Sequence, residues 1–430
     1  MLESLHLKNV GPAPEMEIHF RPRINLLTGD NGLGKTFLLD IAWWVLTRTW
    51  AGMPAVPPRQ GWKTPRGTER GTSVIQYGYR NGSGKPHEGE SLFNRAEQSW
   101  SSKPAHPVAP GLVIYARSDG GFSVWDPARN AWKDRDTRNL DLPSAFHFGA
   151  REVWDGLPLD RPNKLCNGLI LDWGNWQREN GEAFAQLVAV LQALSSSPDE
   201  RLQPGKLTRI DVADARDHPT LKTAYGQEVP LVLASAGVRR IAALAYLLVW
   251  TWEEHRRAAA IRGVEPASEI LFLVDEIENH LHPRWQRRIV KALLEVIKAL
   301  ASTGTVSIQL VATTHSPLIL VSMETFFDSR KDALWGLDLV DRKVELQEIP
   351  YIRRGVVDNW LTSPAIGLHQ PRSLEAEQVL GKALALLRKT PTPPIREFEE
   401  VDRELRGVLG DIDPFWVRWS YLLEEMRGGA

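Results

Sequence analysis

An α/β fold centred on a parallel sheet is predicted by three short apolar runs, each ending in residues suited to phosphate or metal. The first, Ile24-Asn25-Leu26-Leu27-Thr28, leads into the glycine-rich loop Gly29-Asp30-Asn31-Gly32-Leu33-Gly34-Lys35-Thr36 and then a helical pattern to about Thr49. The second, Leu271-Phe272-Leu273-Val274, ends in Asp275-Glu276, and the third, Val306 to Ala312, ends in Thr313-Thr314-His315-Ser316-Pro317. Uninterrupted apolar runs of this length suit strands buried on both faces, and ligands of parallel sheets bind beyond the carboxyl ends of such strands.

The remaining elements follow in chain order. Leu2 to Val10 alternates apolar and polar residues, turns at Gly11-Pro12, and alternates again from Met16 to Phe20, which predicts two half-buried strands. Residues 51–72 are rich in proline and glycine and carry Arg59, Lys63, Arg66 and Arg70, a positively charged surface loop. From Thr72 to Trp132 the pattern is that of an antiparallel β insert, with strands Gly111 to Arg117 and Phe122 to Trp125 joined at Ser118-Asp119-Gly120-Gly121. Helical periodicity returns from Trp173 to Ser195 and, after the Ser-Ala-Gly turn Ser235-Ala236-Gly237, continues to about Ile261. A further helix is expected from Pro283 to about Ala301, and amphipathic helices fill 351–430 with a break at Thr390-Pro391-Thr392-Pro393-Pro394.

Composition narrows the class without deciding it. At 430 residues, 43% hydrophobic and 24% charged, the chain reads as an ordinary globular protein with ample core. A net charge of −1 supplies no global field for nucleic acid, although a local basic patch fits within a balanced total. One cysteine, Cys166, excludes an internal disulfide and, with no apolar run long enough for a membrane span and no signal pattern, predicts a cytoplasmic protein without a membrane partner. The 17 tryptophans include the adjacent pair Trp43 and Trp44 and the helically spaced Trp416 and Trp419, and they read as core residues, with base stacking as the alternative.

The chemistry lies in the three run ends. In a GxxxxGK[ST] loop, small residues let backbone N–H groups turn onto phosphates, the lysine (Lys35) neutralises them and the hydroxyl (Thr36) ligates Mg2+. Asp275 is placed to hold the same Mg2+ through its water, and Glu276, beside the γ-phosphate but off the metal, to act as the general base that orients attacking water. His315 follows another strand's carboxyl end and is placed to contact the γ-phosphate. The cofactors expected are therefore ATP and Mg2+. His280 and His282 near Glu278 read as a loop-to-helix junction and not as a separate metal site.

These motifs, with Ala234-Ser235-Ala236-Gly237-Val238-Arg239-Arg240 ahead of the aspartate–glutamate strand, resemble the ABC-type ATPases. That resemblance implies a P-loop ATPase core with an antiparallel β insert, a helical lobe bearing the signature Ser235, Ala236 and Gly237, and a C-terminal helical extension. It also implies a head-to-tail homodimer, or a higher homo-oligomer, in which the signature completes the partner copy's ATP site. The parts it delimits are 1–160 (phosphate loop and β insert), 161–265 (signature lobe), 266–350 (aspartate–glutamate strand and His loop) and 351–430 (helical extension docking a partner). The signature departs from Leu-Ser-Gly-Gly-Gln, and Glu278-Asn279-His280-Leu281-His282-Pro283 replaces the usual Ser-x-Leu-Asp. The strings Asp275-Glu276-Ile277-Glu278-Asn279-His280-Leu281-His282-Pro283 and Thr314-His315-Ser316-Pro317 are similar to the OLD-like branch, many of whose members serve anti-phage defence; within it, the chain's size and the tail Leu361-Thr362-Ser363-Pro364-Ala365-Ile366-Gly367-Leu368 resemble the stand-alone ATPase subunits of Septu and retron systems, with PARIS-type ATPases as a related group.

The Septu and retron likeness implies a separately encoded nuclease partner, HNH type ahead of Toprim. Asp411-Ile412-Asp413 has Toprim-like spacing, but Pro414 and a helical pattern follow, so no nuclease activity is expected in this chain. Two rival classes carry weight. A DNA-repair or DNA-end-binding ATPase would use DNA as its partner through the 51–72 cations; a scaffold would bind ATP without turnover. The family's Mg2+-sensing glutamine stays open, since Gln76 lies in a strand-like run.

Overall fold

The computed structural model describes residues 1–58, 62–64, 67–69, 71–81, 84–105, 110–130, 144–160, 163–197, 199–223, 225–300, 306–390 and 393–428. Of the four cations read in the 51–72 loop, Arg59, Arg66 and Arg70 lie outside the described residues, as does the Lys63 side chain.

An eight-stranded sheet organises the larger of two compact units, Met1–Trp360 with Pro364–Ile366. In order across the sheet run Phe146–Phe148, Phe122–Trp125, Leu112–Ala116, Glu269–Val274, Ser307–Thr313, Ile24–Gly29, Asp332–Val340 and Lys343–Glu348. The central strands, from Leu112–Ala116 to Asp332–Val340, pair in parallel, while both margins are antiparallel. The phosphate-loop strand Ile24–Gly29 therefore lies beside the histidine strand Ser307–Thr313, which in turn lies beside the carboxylate strand Glu269–Val274. All three run ends emerge at the same edge.

Leu112–Ala116 differs from the sequence expectation, which assigned it to the antiparallel insert. Every residue of this Leu-Val-Ile-Tyr-Ala run is buried, and it pairs in parallel with the carboxylate strand from Ile270–Leu112 to Val274–Ala116. A strand covered on both faces has no polar alternation to announce its place. Phe122–Trp125 forms the expected hairpin with it, but as the antiparallel margin of the main sheet. The insert proper is a second, five-stranded antiparallel sheet ordered Glu15–His19, Leu2–Lys8, Val74–Arg80, Pro86–Asn94, Ser99–Lys103. It joins the two opening strands to the residues after the 51–72 loop.

Side-chain alternation in the central strands feeds two cores. Ile24, Leu26, Ile114, Phe272 and Leu310 face the helices Leu169–Glu179, Glu182–Ala193, Ala236–Arg262 and Ile289–Leu300 through Trp173, Leu187, Tyr246 and Leu293. Leu27, Val113, Tyr115, Leu273 and Val311 face the helix Lys35–Thr47 and, beyond it, Leu5, Ile18, Ile75 and Tyr77 of the second sheet. The layers are thus helices, main sheet, and then phosphate-loop helix with antiparallel sheet. Trp43 and Trp173 are fully buried in this scheme, as the core reading of the tryptophans expects.

The helix expected from Pro283 is two helices, Pro283–Gln286 and Ile289–Leu300. The second unit, Leu361–Ser363 with Gly367–Ala430, contains the helices Leu374–Arg388, Ile395–Val408 and Phe415–Gly428 around Leu380, Phe398, Leu405 and Trp419. Within it the Trp419 indole donates to Asp402 Oδ1 at 3.0 Å. Asp413 opens the last helix by accepting from the Phe415 N–H at 2.9 Å, and its carboxylate takes both the Nε and Nη2 of Arg372, at 2.7 and 2.8 Å.

Phe272, at 0% exposure in the middle of the carboxylate strand, is a sharp probe of the main core. Replacing it with Ala should cost about 3–5 kcal/mol in denaturant unfolding, whereas Val212→Ala, on a fully exposed side chain, should stay within about 0.5 kcal/mol of the parent.

Candidate functional site

The phosphate loop bends where only glycine bends cheaply. Gly29, Gly32 and Gly34 have φ of 127°, 80° and 100°, in the left-handed range that a Cβ disfavours. A Cβ on Gly29 would lie 2.1 Å from the Leu337 carbonyl oxygen, and one on Gly34 would lie 2.6 Å from Pro12 Cγ. The helix Lys35–Thr47 starts at the end of this loop, so its first N–H groups and the positive end of its dipole face the same space as the loop amides. Lys35 is buried, and its ammonium donates to the carbonyls of Gly29 and Asp30, both at 2.8 Å. Burial lowers its pKa, opposed by the charges of Asp275, Asp30, Glu276 and Glu278.

At the neighbouring run ends, Thr36 Oγ1 lies 3.0 Å from both Oδ1 and Oδ2 of Asp275. Thr313, the last residue of the histidine strand, donates from Oγ1 to Asp275 Oδ1 at 2.8 Å and accepts the Glu276 N–H at 2.7 Å. Asp275 is 1% exposed, and its own N–H is taken by the Ala116 carbonyl. A hydroxyl and a carboxylate this close form a hard-oxygen pair that fits Mg2+, which takes one or two protein oxygens and completes its shell with water and phosphate.

Glu276 has φ of 48°, left-handed for a residue with a Cβ. Strain of this kind costs about 1–3 kcal/mol and persists where surroundings over-determine it. Here the Thr313 hydroxyl fixes its N–H, and its carbonyl accepts from Asn279 N. The half-buried carboxylate is thereby turned out of the strand beside Asp275.

Glu278, which the sequence reading treated only as a neighbour of His280 and His282, spans two strand ends. One carboxylate oxygen accepts from Thr314 Oγ1 at 2.7 Å and the other from the His315 N–H at 2.6 Å. Ser316 Oγ then donates to Gln286 Oε1 at 2.7 Å. The loop carrying the half-buried His315 is therefore pinned to the turn after Glu276.

Ser235 caps the 27-residue helix Ala236–Arg262, its Oγ accepting from Val238 N at 3.4 Å. Gly237 packs on the turn after Glu276: a Cβ there would meet the His280 carbonyl oxygen at 2.6 Å. Arg240, one turn on, donates to the Arg117 carbonyl at 2.8 Å; burial lowers its pKa, opposed by the charges of Asp119, Asp275 and Glu276. No hydrogen bond among the described residues joins Ser235 or Ala236 to the phosphate loop. The first three motifs converge, whereas the Ser-Ala-Gly turn packs against the turn after Glu276, at the His280 carbonyl. Gln76 is remote from all of them, on the second sheet, donating to Glu90 Oε2 and facing His6 Nδ1.

Asp40, one helical turn after Thr36, accepts from the Tyr115 hydroxyl at 3.1 Å. Its carboxyl is pushed up to about 6, first by burial, with Asp275 and Asp119 adding to the effect and the Tyr115 bond opposing it.

The fold and this arrangement of phosphate loop, aspartate–glutamate strand and histidine loop resemble those of the ABC-type P-loop ATPases. The family model "AAA domain, putative AbiEii toxin, Type IV TA system" matches residues 113–322, and a second AAA-domain model matches residues 4–85. The chain resembles the Septu protein PtuA of Bacillus mycoides (strain KBAB4), at 32% identity over 135 residues, 31% of this chain and 17% of that protein. Among solved structures, the SMC head domain from Thermotoga maritima aligns with 81% of this chain and 98% of its own at 13% identity and a TM-score of 0.38. An SmcHead bound to the C-winged helix domain of ScpA aligns with 81% and 97% at 15% identity and a TM-score of 0.44.

Two measurements probe this network. Thr313→Val keeps the shape but removes one partner each from Asp275 and the Glu276 N–H, and should lower unfolding free energy by about 1–3 kcal/mol. Because the folded-state pKa of Asp40 is raised, its carboxylate disfavours folding once ionised: stability should fall as pH rises through about 6, and Asp40→Asn should flatten that segment of the stability–pH curve.

Proposed function

We propose that this chain is the ATP-binding and ATP-hydrolysing subunit of a prokaryotic anti-phage defence system. In this reading it works in the cytoplasm, dimerises head to tail on ATP, and controls a separately encoded nuclease of HNH or Toprim type. The observation that carries the chemistry is the contact of Thr36 Oγ1 with both oxygens of Asp275, with Glu276 next in the chain and pinned by Thr313.

Each residue then has a task. The amides of Gly29, Asp30, Asn31, Gly32, Leu33 and Gly34 cradle phosphate oxygens, and Lys35 exchanges its two carbonyl contacts for the β- and γ-phosphates. Thr36 and Asp275 hold Mg2+, which when bound neutralises charge developing on the transferred phosphoryl group. Glu276 accepts a hydrogen bond from the attacking water and orients it in line. His315 donates toward the γ-phosphate from a loop that Glu278 holds still. Ser235, Ala236 and Gly237, at the N-terminus of the helix Ala236–Arg262, offer hydroxyl and amides to the ATP of a second copy.

Likeness to the Septu protein PtuA supports the defence role. Engagement of Asp413 by Arg372 supports leaving nuclease chemistry to another chain. Among the described residues no helix is long and apolar enough to cross a membrane.

Steady-state ATPase assays test the reading. Lys35→Ala should abolish turnover by weakening ATP binding, while Glu276→Gln should bind ATP, accumulate as a dimer on size exclusion, and turn over about 10²–10⁴-fold more slowly. Wild-type hydrolysis by clean Glu276→Gln protein would remove that residue from its role. Co-purification with the product of the neighbouring gene tests the biology: co-elution with a nuclease supports it, and a lone dimer whose ATPase rises with DNA overturns it in favour of a DNA-repair ATPase.

A further inference from the structure

Beyond the three run ends already described, a fourth strand end opens at the same edge of the main sheet. Leu112–Ala116 runs parallel to the carboxylate strand and beside it, so its carboxyl end stands next to Asp275. Three successive carbonyls there each take a donor from a different place. Ala116 accepts the Asp275 N–H at 2.9 Å, Arg117 accepts Nη2 of Arg240 at 2.8 Å from the helix Ala236–Arg262, and Ser118 accepts Nδ2 of Asn279 at 2.9 Å from the turn after Glu276. The segment is anchored from behind, since the Arg117 guanidinium donates to the Ala51 and Phe148 carbonyls.

Asn279 joins this segment to Glu276. Its N–H donates to the Glu276 carbonyl at 2.8 Å while its side-chain amide reaches Ser118, and only the nitrogen of that amide can meet a carbonyl, so the side chain has one usable orientation. The residues around this link, Glu276 and His280, are left-handed at φ 48° and 61° without being glycine, and such backbone relaxes unless its surroundings hold it. Thr313 holds Glu276 from the N–H side; Asn279 holds it from the carbonyl side and ties it to a strand end. Arg240 grips the same segment one carbonyl earlier, its charge attracted by Asp119, Asp275 and Glu276.

We propose that Asn279 and Arg240 are positioning residues for the hydrolytic glutamate: through Ala116-Arg117-Ser118 they hold the Glu276 turn and the Ser-Ala-Gly helix in one frame. Neither side chain needs to touch ATP or water to act in this way. What they supply is the placement of a carboxylate on strained backbone, and a displacement of about 1 Å at a reacting group can slow chemistry about 10²-fold. A purely structural role would instead lower stability and leave turnover per folded molecule unchanged. This assignment rests on Glu276 being the base that orients water.

ATPase kinetics of the full chain, with thermal unfolding to confirm that each variant is folded, decide it. Asn279→Ala should lower kcat by more than about fivefold with KM within about threefold of the parent, and Arg240→Met should lower kcat in the same sense. The double variant should be no more than about twofold slower than the slower single one, because residues acting through one segment do not add. In a Glu276→Gln background, single-turnover hydrolysis should be unchanged by Asn279→Ala, since placing a group matters only while that group is present. A smaller loss of kcat in folded Asn279→Ala, losses that multiply in the double variant, or a full Asn279→Ala effect in the Glu276→Gln background would each overturn the assignment. Should either single variant fail to fold, the other decides the matter. A parent without ATPase, or a Glu276→Gln chain that turns over like the parent, removes the proposed function itself and this assignment with it.

Discussion

Three strand ends are held together by the carboxylate of Asp275. A carboxylate buried this fully survives only with its oxygens satisfied, and the partners come from the helix after one strand and the end of another: Thr36 Oγ1, and Thr313 Oγ1. Sliding any one strand by a residue would turn its functional side chain to the opposite face and leave that carboxylate short of a partner. The apolar alternation that fills the two cores and the polar clasp at the strand ends therefore enforce the same register.

Thr313 shows how economical the clasp is. A single hydroxyl donates to Asp275 and accepts from the Glu276 amide, so one side chain sets both the position of the carboxylate and the left-handed backbone that follows it. Glu278 does the complementary work one step further on, binding Thr314 and His315 across the gap between strands. Strain at Glu276 is maintained by bonds made on both sides of it, which is the condition under which such strain persists.

The three motif-bearing strands and the loop between Gly29 and Thr36 were legible because apolar run, glycine spacing and terminal polar residues all agree there. Leu112–Ala116 was not placed, because a wholly apolar run looks alike in an insert and in a sheet centre; only its parallel neighbour distinguishes them. The part played by Glu278 was hidden for a different reason. Its partners stand 36 and 37 residues away along the chain, and nothing local to Glu278 separates a bridging carboxylate from a solvated one. Gln76 was rightly read as strand, yet a strand pattern does not say which of two sheets it joins.

The contact between Gly237 and the His280 carbonyl has a mechanical consequence. With no side chain between them, the first turn of the helix Ala236–Arg262 and the turn after Glu276 have no soft layer to absorb a shift. The helix is a rod about 40 Å long, so tilting it by about 5° about that contact swings its far end by roughly 3 Å. That far end passes through Gly263 straight toward the strand bearing Asp275. Both ends of the helix therefore bear on the carboxylate strand, one through the turn that follows it and the other through the connection that leads into it, in a close-packed interior that leaves little room for a shift.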